Sequence, residues 1–156
     1  MTLPILVLSW RWGFLFGEIG LTEKNLGLSV KLGLIATIFT LFVHCLVAPP
    51  TNPILSIYSF FLNQIPLFLS AFNEELLFRG VLFFLIAKKS KNTILAYILS
   101  TATFIFWHPL EIARIIPVLI QATLMCYVIY ETGNISGCFL AHGLNRVLLP
   151  VVGQWI

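Results

Sequence analysis

One short stretch, from Asn73 to Arg79, carries three ionisable side chains in a sequence that is otherwise almost uniformly apolar. Glu74 and Glu75 are adjacent carboxylates, and Arg79 follows Glu75 by one helical turn. On a helix Glu75 can pair with Arg79, whereas Glu74 points about 100° away and is left free. A carboxylate in a membrane is costly unless it is paired or faces water, so two of them indicate a functional site. The spacing predicts one structural and one reactive carboxylate.

Two further polar clusters lie in later apolar segments. His108 ends one segment, immediately before Pro109, and His142 lies in the last segment with Asn145 and Arg146. A carboxylate can take a proton from water, a neutral histidine can orient that water, and a second histidine with an amide can donate to an oxyanion. If a helix bundle brings the clusters together, their chemistry is that of peptide-bond hydrolysis.

Two other interpretations of these residues stay open. Glu74, His108 and His142 are of the types that bind zinc or another divalent metal, although the sequence His-Glu-x-x-His is absent. Alternatively, the polar groups only bond to one another and specify helix packing. A serine hydrolase is disfavoured, because no Gly-x-Ser-x-Gly is present.

The composition predicts a polytopic membrane protein. Of 156 residues, 59% are hydrophobic and 10% are charged, against about 25% charged residues in a typical soluble domain. At about 20 residues per crossing, the chain has room for roughly five to seven transmembrane helices and no soluble lobe. We therefore expect one all-α domain, a transmembrane bundle of about six helices.

The apolar segments can be read directly from the sequence. They are Leu3 to about Ile19, Lys31 to Ala48, Ile54 to Ala87, Thr93 to Trp107, Ile115 to Tyr130 and Ile135 to Val152. At ~1.5 Å per residue, the third is too long for one straight crossing of a ~30 Å core. We expect it to be kinked or re-entrant around Pro66 to Asn73.

A basic cluster, Lys88, Lys89 and Lys91, lies between two apolar segments. Clusters of this kind are typical of cytoplasmic loops, where they determine topology. The net charge of +3 is modest. We expect this cluster to determine topology rather than to bind nucleic acid or a specific lipid, and we expect the lipid bilayer to be a partner of the chain as a whole.

Three motifs in order resemble those of a known family, and together they cover about Ile65 to Val152. They are Glu74-Glu75-x-x-x-Arg79 followed by Gly80, then Phe104-x-x-x-His108, then His142 with Asn145. This pattern is similar to that of the CPBP family, the CAAX protease and bacteriocin-processing intramembrane proteases, also called Abi or type II CAAX endopeptidase-like proteins. The resemblance implies an N-terminal pair of transmembrane helices over residues 1–53 and a catalytic helix bundle over residues 54–156.

The resemblance also implies a role for each motif residue. Glu74 would activate the hydrolytic water with His108 as its partner, and Glu75 and Arg79 would support the site. His142 would hold the oxyanion with the nearby Asn145.

One residue departs from the family pattern. The family commonly has asparagine four residues after the third-motif histidine, where this chain has Arg146, and Asn145 comes one residue earlier. Arg146 could stabilise an oxyanion itself, or it could pair with Glu74. The resemblance does not choose between a metal-dependent and a metal-free glutamate mechanism.

The leading hypothesis is therefore an intramembrane endopeptidase of a prokaryotic plasma membrane, which cuts a peptide or membrane-protein substrate near the bilayer. The main alternative is a non-catalytic immunity or regulatory protein that uses the same cavity to bind a peptide or a membrane partner. A proton-linked carrier would also contain buried glutamate and histidine, but the sequence shows no inverted repeat.

Overall fold

The computed structural model describes residues 7, 10–11, 13–47, 57–108 and 112–152. Over these ranges the chain is helical almost throughout and forms no strand, which confirms the predicted all-α bundle. The elements are a 3₁₀ helix (Phe16–Ile19), α1 (Leu26–Val47), α2 (Ile57–Glu75), a π-helical segment (Leu76–Leu82), α3 (Phe83–Ser90), α4 (Thr93–Trp107), α5 (Ile112–Thr132) and α6 (Ser136–Val152). Because α2, the π segment and α3 are continuous, the described ranges contain five long helices.

Two of the described helices are long and apolar enough to cross a membrane by length and composition, Leu26–Val47 and Ile115–Thr132. Thr93–Trp107 and Ser136–Val152 are shorter apolar helices. Large apolar side chains are exposed on the outside of the bundle, for example Ile38, Phe42, Leu62, Ile98 and Phe106. Such a surface is costly in water and is the surface that hydrocarbon solvates.

The predicted first helix, Leu3 to about Ile19, is described at residues 7, 10–11 and 13–19, of which 7, 10 and 11 are helical. Its described end is not α-helical. Gly13 has a φ of 77°, in the left-handed region that glycine adopts readily, and Phe16–Ile19 is a single 3₁₀ turn. The Glu18 carboxylate accepts hydrogen bonds from the backbone N–H of Leu15 and from the amine of Lys88. Both bonds lower the pKa of Glu18, and the bond from Leu15 has the larger effect.

The segment that follows this turn is bonded to the turn between α5 and α6. The N–H of Ile135 donates to the carbonyl of Gly20 at 3.1 Å. The fully buried amide of Asn134 donates to the carbonyls of Thr22 and Lys24, at 2.6 and 3.0 Å. These bonds join parts of the chain that are more than a hundred residues apart, and they close one end of the bundle.

Small residues allow α1 and α6 to cross closely. A Cβ on Gly33 would lie 2.7 Å from the Cα of Gly137, and a Cβ on Gly137 would lie 2.6 Å from the carbonyl carbon of Ser29. The Ser29 hydroxyl accepts the N–H of Gly137 at 2.9 Å. Close backbone approach at small residues is a common way for helices to associate in membranes.

Gly33→Ala is expected to lower the free energy of unfolding by about 1–3 kcal/mol, because the new methyl group would overlap the backbone of α6. Gly27→Ala is the matched control on the same helix. Among the described residues, its added Cβ would meet nothing outside its own stretch of helix within 4 Å, so no loss is expected. Thermal unfolding of both variants in detergent would measure the difference, and equal stability would contradict the close crossing.

The long third segment of the sequence is continuous in the structure. The sequence predicted a kinked or re-entrant segment around Pro66 to Asn73; α2 is helical through these residues, with Pro66 inside the helix, so they form no re-entrant break. The irregularity follows them, where Leu76–Leu82 forms π-helical turns. The far end of this continuous segment lies beside the 3₁₀ turn, where Lys88 pairs with Glu18 at 3.2 Å.

Candidate active site

Three helices bring the predicted chemistry together at one place. Glu74 lies at the end of α2, His108 follows α4, and His142 lies in α6. The Nε2 atoms of His108 and His142 are 3.9 and 3.8 Å from Oε2 of Glu74. One ligand atom from each of the three side chains lies within 4.8 Å of the other two.

Aromatic packing holds α2 against α6 beside these residues. Phe139 packs edge-on against Phe68 and Phe72, with ring centroids 4.9 and 5.4 Å apart. A Cβ on Gly143 would lie 2.6 Å from the ring of Phe68, so only glycine lets this ring approach the helix so closely. The packing sets the separation between Glu74 and the polar face of α6.

The orientation of His108 follows from the end of its helix. The residue before a proline avoids helical geometry, and His108 is extended at φ −97° and ψ 155°. Its Nδ1 lies 2.9 Å from the carbonyl oxygen of Phe104. A carbonyl can only accept, so Nδ1 carries the hydrogen, and Nε2 is left to face Glu74.

His142 is oriented in the same sense by a different partner. Its Nδ1 lies 2.7 Å from Oε1 of Glu75, a carboxylate that also accepts from Nη1 of Arg79 at 3.3 Å. His142 therefore donates through Nδ1 and turns Nε2 towards Glu74. All three of these side chains are buried, and the Glu75–Arg79 pair that the spacing predicted is present.

Arg79 connects this pair to two further helices. Its Nη2 donates to the carbonyl of Ala122 in α5 at 3.2 Å, and its guanidinium carbon lies 4.0 Å from the ring centroid of Phe104 in α4. The Phe104 ring also lies 4.5 Å from that of His108. The π segment that contains Arg79 thus lies at the centre of the site, where π-helical turns are often found.

The two oxygens of Glu74 have different surroundings. Oε1 accepts from Nη2 of Arg146 at 2.7 Å, so Arg146 pairs with Glu74, one of the two outcomes that the sequence left open. Oε2 has no hydrogen-bond partner within the described part of the chain. The side chains of Glu74, His108 and Arg146 are 18%, 21% and 24% exposed, so water can reach the group.

Asn145 is separate from this network. Its side chain is buried, and neither atom of its amide has a hydrogen-bond partner among the residues that the structure describes. A buried amide without a partner costs about 1–3 kcal/mol.

The model of the type II CAAX prenyl endopeptidase Rce1-like family matches residues 53–148, which is more than half of the chain and includes every site residue above. This chain belongs to the type II CAAX prenyl endopeptidase Rce1-like family. A search of the curated proteins found no match, and neither did a search of the solved structures. The resemblance seen in the sequence is thereby confirmed, and the Rce1-like family is a family of membrane proteases.

Ser70 of this Rce1-like chain was not among the site residues predicted from the sequence. Nη1 of Arg146 donates to its hydroxyl at 2.6 Å. Ser70 precedes Glu74 by four residues and so shares its helical face, which was the available signal. A serine is common on apolar helices, however, and nothing in the sequence paired it with Arg146.

Proposed function

We propose that the chain is an intramembrane endopeptidase in which Glu74 activates the hydrolytic water. One observation carries the proposal: Oε2 of Glu74 has no hydrogen-bond partner among the described residues and faces the Nε2 atoms of His108 and His142 at 3.9 and 3.8 Å. These distances are too long for direct hydrogen bonds. Three atoms within 4.8 Å of one another can, however, all contact one water at roughly 2.8 Å.

The arrangement supports a balanced sequence of proton transfers. Glu74 takes one proton from the water as the water oxygen bonds to the peptide carbonyl carbon, while the Nε2 atom of His108 accepts the other hydrogen and holds the water in place. The carbonyl oxygen becomes an oxyanion. As it reforms the carbonyl, the C–N bond breaks and Glu74 passes its proton to the leaving nitrogen. The products are a new carboxyl group and a new amine, and Glu74 is again a carboxylate.

The oxyanion needs hydrogen-bond donors, and we assign this role to Asn145 with His142. The buried amide of Asn145 offers N–H groups that no residue in the described ranges accepts. His142 can donate through Nε2 only when both of its ring nitrogens carry a hydrogen, with Nδ1 still donating to Glu75.

The donor set of Glu74, His108 and His142 also fits a divalent metal, because both Nε2 atoms and Oε2 are free to coordinate. A bound metal would supply an acidic water and polarise the carbonyl. The charges of the site residues favour a mechanism in which the water is activated without a metal. Two arginines already balance Glu74 and Glu75, so a dication would leave an uncompensated double charge in an apolar site.

Chelation provides a test of this choice. Cleavage by protein treated with EDTA is expected to stay within about twofold of that of untreated protein, since neutral histidines and a carboxylate can activate water without metal. Metal analysis of the same sample should find no stoichiometric zinc. Zinc that is present in the wild type and lost in His142→Ala, together with activity lost on chelation, would establish a metalloprotease instead.

We further propose that residues 54–156 form the catalytic bundle and that the helices before it hold it in a prokaryotic plasma membrane. The proposed substrate is a peptide or membrane protein that is cut near the bilayer. The name of the family indicates prenylated CAAX sequences as one substrate class to test. Purified protein in lipid nanodiscs, mixed with a peptide library in prenylated and unprenylated forms, should release products that mass spectrometry detects. A folded protein that cleaves neither form would contradict the proposal.

A further inference from the structure

Arg146 takes part in a continuous chain of hydrogen bonds that returns to α2. Its Nη1 donates to the hydroxyl of Ser70 at 2.6 Å, and its Nη2 donates to Oε1 of Glu74 at 2.7 Å. The Ser70 hydroxyl in turn donates to the carbonyl of Leu67 at 2.8 Å. Each donor meets an acceptor, so the chain of bonds is consistent from one end to the other.

We infer that Ser70 and Arg146 are positioning residues, which together clamp Glu74 so that only Oε2 faces the reacting centre. The inference rests on the proposed role of Glu74 as the base. It assigns a function to Ser70, and it explains how an arginine can stand at this position without blocking the reaction.

The geometry argues against Arg146 as an inhibitor of Glu74. A guanidinium that quenched the carboxylate would engage both of its oxygens in the parallel, bidentate manner that arginine prefers. Here one Nη is bonded to Ser70 and only Oε1 of Glu74 is taken, whereas Oε2 keeps no partner in the described residues. Ser70 thus limits how much of the carboxylate Arg146 can occupy.

The planar fork of arginine is needed for this clamp. Two nitrogens held in one plane reach Ser70 and Glu74 at the same time, and a lysine amine on a flexible stem presents a single point of charge. Arg146→Lys is therefore expected to keep the positive charge beside Glu74 and to lose the orientation of the Glu74 carboxylate.

The clamp predicts a specific kinetic pattern. We expect kcat to fall about 100-fold in Arg146→Met and less in Arg146→Lys and Ser70→Ala, with KM within about twofold, because misplacing a catalytic group slows the chemical step. The double variant, Ser70→Ala with Arg146→Met, should have the same kcat as Arg146→Met alone. The control is Thr103→Ala, which removes an exposed hydroxyl that donates to the Leu99 carbonyl of its own helix and should leave kcat unchanged.

Other kinetic results would overturn the clamp. Faster cleavage by Arg146→Met would show that Arg146 restrains Glu74. A loss in Arg146→Met with no change in Ser70→Ala would show that Arg146 acts without Ser70, for example on the oxyanion. Equal losses in Arg146→Met and Thr103→Ala would show a general effect of substitution.

A stability cycle tests the clamp without any cleavage assay. Ser70→Ala and Arg146→Met should each lower the midpoint of thermal unfolding in detergent, and the double variant should lose clearly less than the sum, since directly bonded residues are not additive. Additive shifts would overturn the clamp even if the wild type cleaves. Coupled shifts in a protein that cleaves no peptide would support the clamp and would instead contradict the proposed function.

Discussion

Glu74→Gln is expected to lower kcat about 1,000-fold and to leave the protein folded. Glutamine has the shape of glutamate, and its carbonyl oxygen can still accept from Arg146, but its amide cannot take a proton from water. General-base catalysis typically contributes 10²- to 10⁴-fold, so the expected loss lies in the middle of that range. Initial cleavage rates at saturating peptide, with thermal unfolding as the measure of folding, would test this result.

Glu131→Gln is the matched control for this substitution. Glu131 is exposed at the end of α5, near the turn that Asn134 closes and away from the site. The Glu131→Gln variant should cleave peptide at the wild-type rate. If Glu74→Gln also retained full activity, Glu74 would not be the base, whatever the effect of the other site variants.

Arg79→Met is expected to lower the free energy of unfolding by about 3–5 kcal/mol. Arg79 and Glu75 are both fully buried, and removal of one member of such a pair leaves the other charge in an apolar interior without compensation. The loss would be measured by unfolding in a graded mixture of mild and denaturing detergents. A second substitution, Glu75→Gln, should recover part of it by removing the stranded charge.

An exposed ion pair of the same protein provides the comparison. Lys88 and Glu18 are 3.2 Å apart, with side chains that are 55% and 43% exposed. Lys88→Met is expected to change stability by no more than about 1 kcal/mol, as is usual for surface pairs. If Arg79→Met lowered the free energy of unfolding no more than Lys88→Met did, the buried pair would not contribute to the stability of the bundle.

The features that follow from local geometry could be predicted from the sequence. A spacing of four residues on a helix was enough to pair Glu75 with Arg79, and a following proline was enough to place His108 at a helix end. Composition alone indicated a helical bundle in a membrane. Each of these conclusions needs only the neighbouring residues or the average properties of the chain.

The partners that come from distant segments could not be predicted in the same way. Asn145 and Arg146 differ by about 100° on α6, and only the rotation of that helix decides which of them meets Glu74. That rotation depends on close contacts at Gly137 and Gly143, where the absence of a side chain is the determining feature. Ser70 is explained only once Arg146 is in place.

The irregular geometry of Leu76–Leu82 was also beyond the reach of the sequence. Its residues are as apolar as those of the regular helices around it, and no proline or polar residue other than Arg79 distinguishes it. The bond from Arg79 to Ala122 in α5 is a tertiary contact, so the helix geometry here is determined by packing as well as by local preference.

The order of synthesis has a consequence for the living cell. His142 and Arg146 emerge from the ribosome 67 and 72 residues after the carboxylates that they contact. Until α6 is made, Glu74 lacks Arg146 and Glu75 lacks His142. Under the proposed function, the hydrolytic centre would therefore stay incomplete and inert while the protein is being inserted.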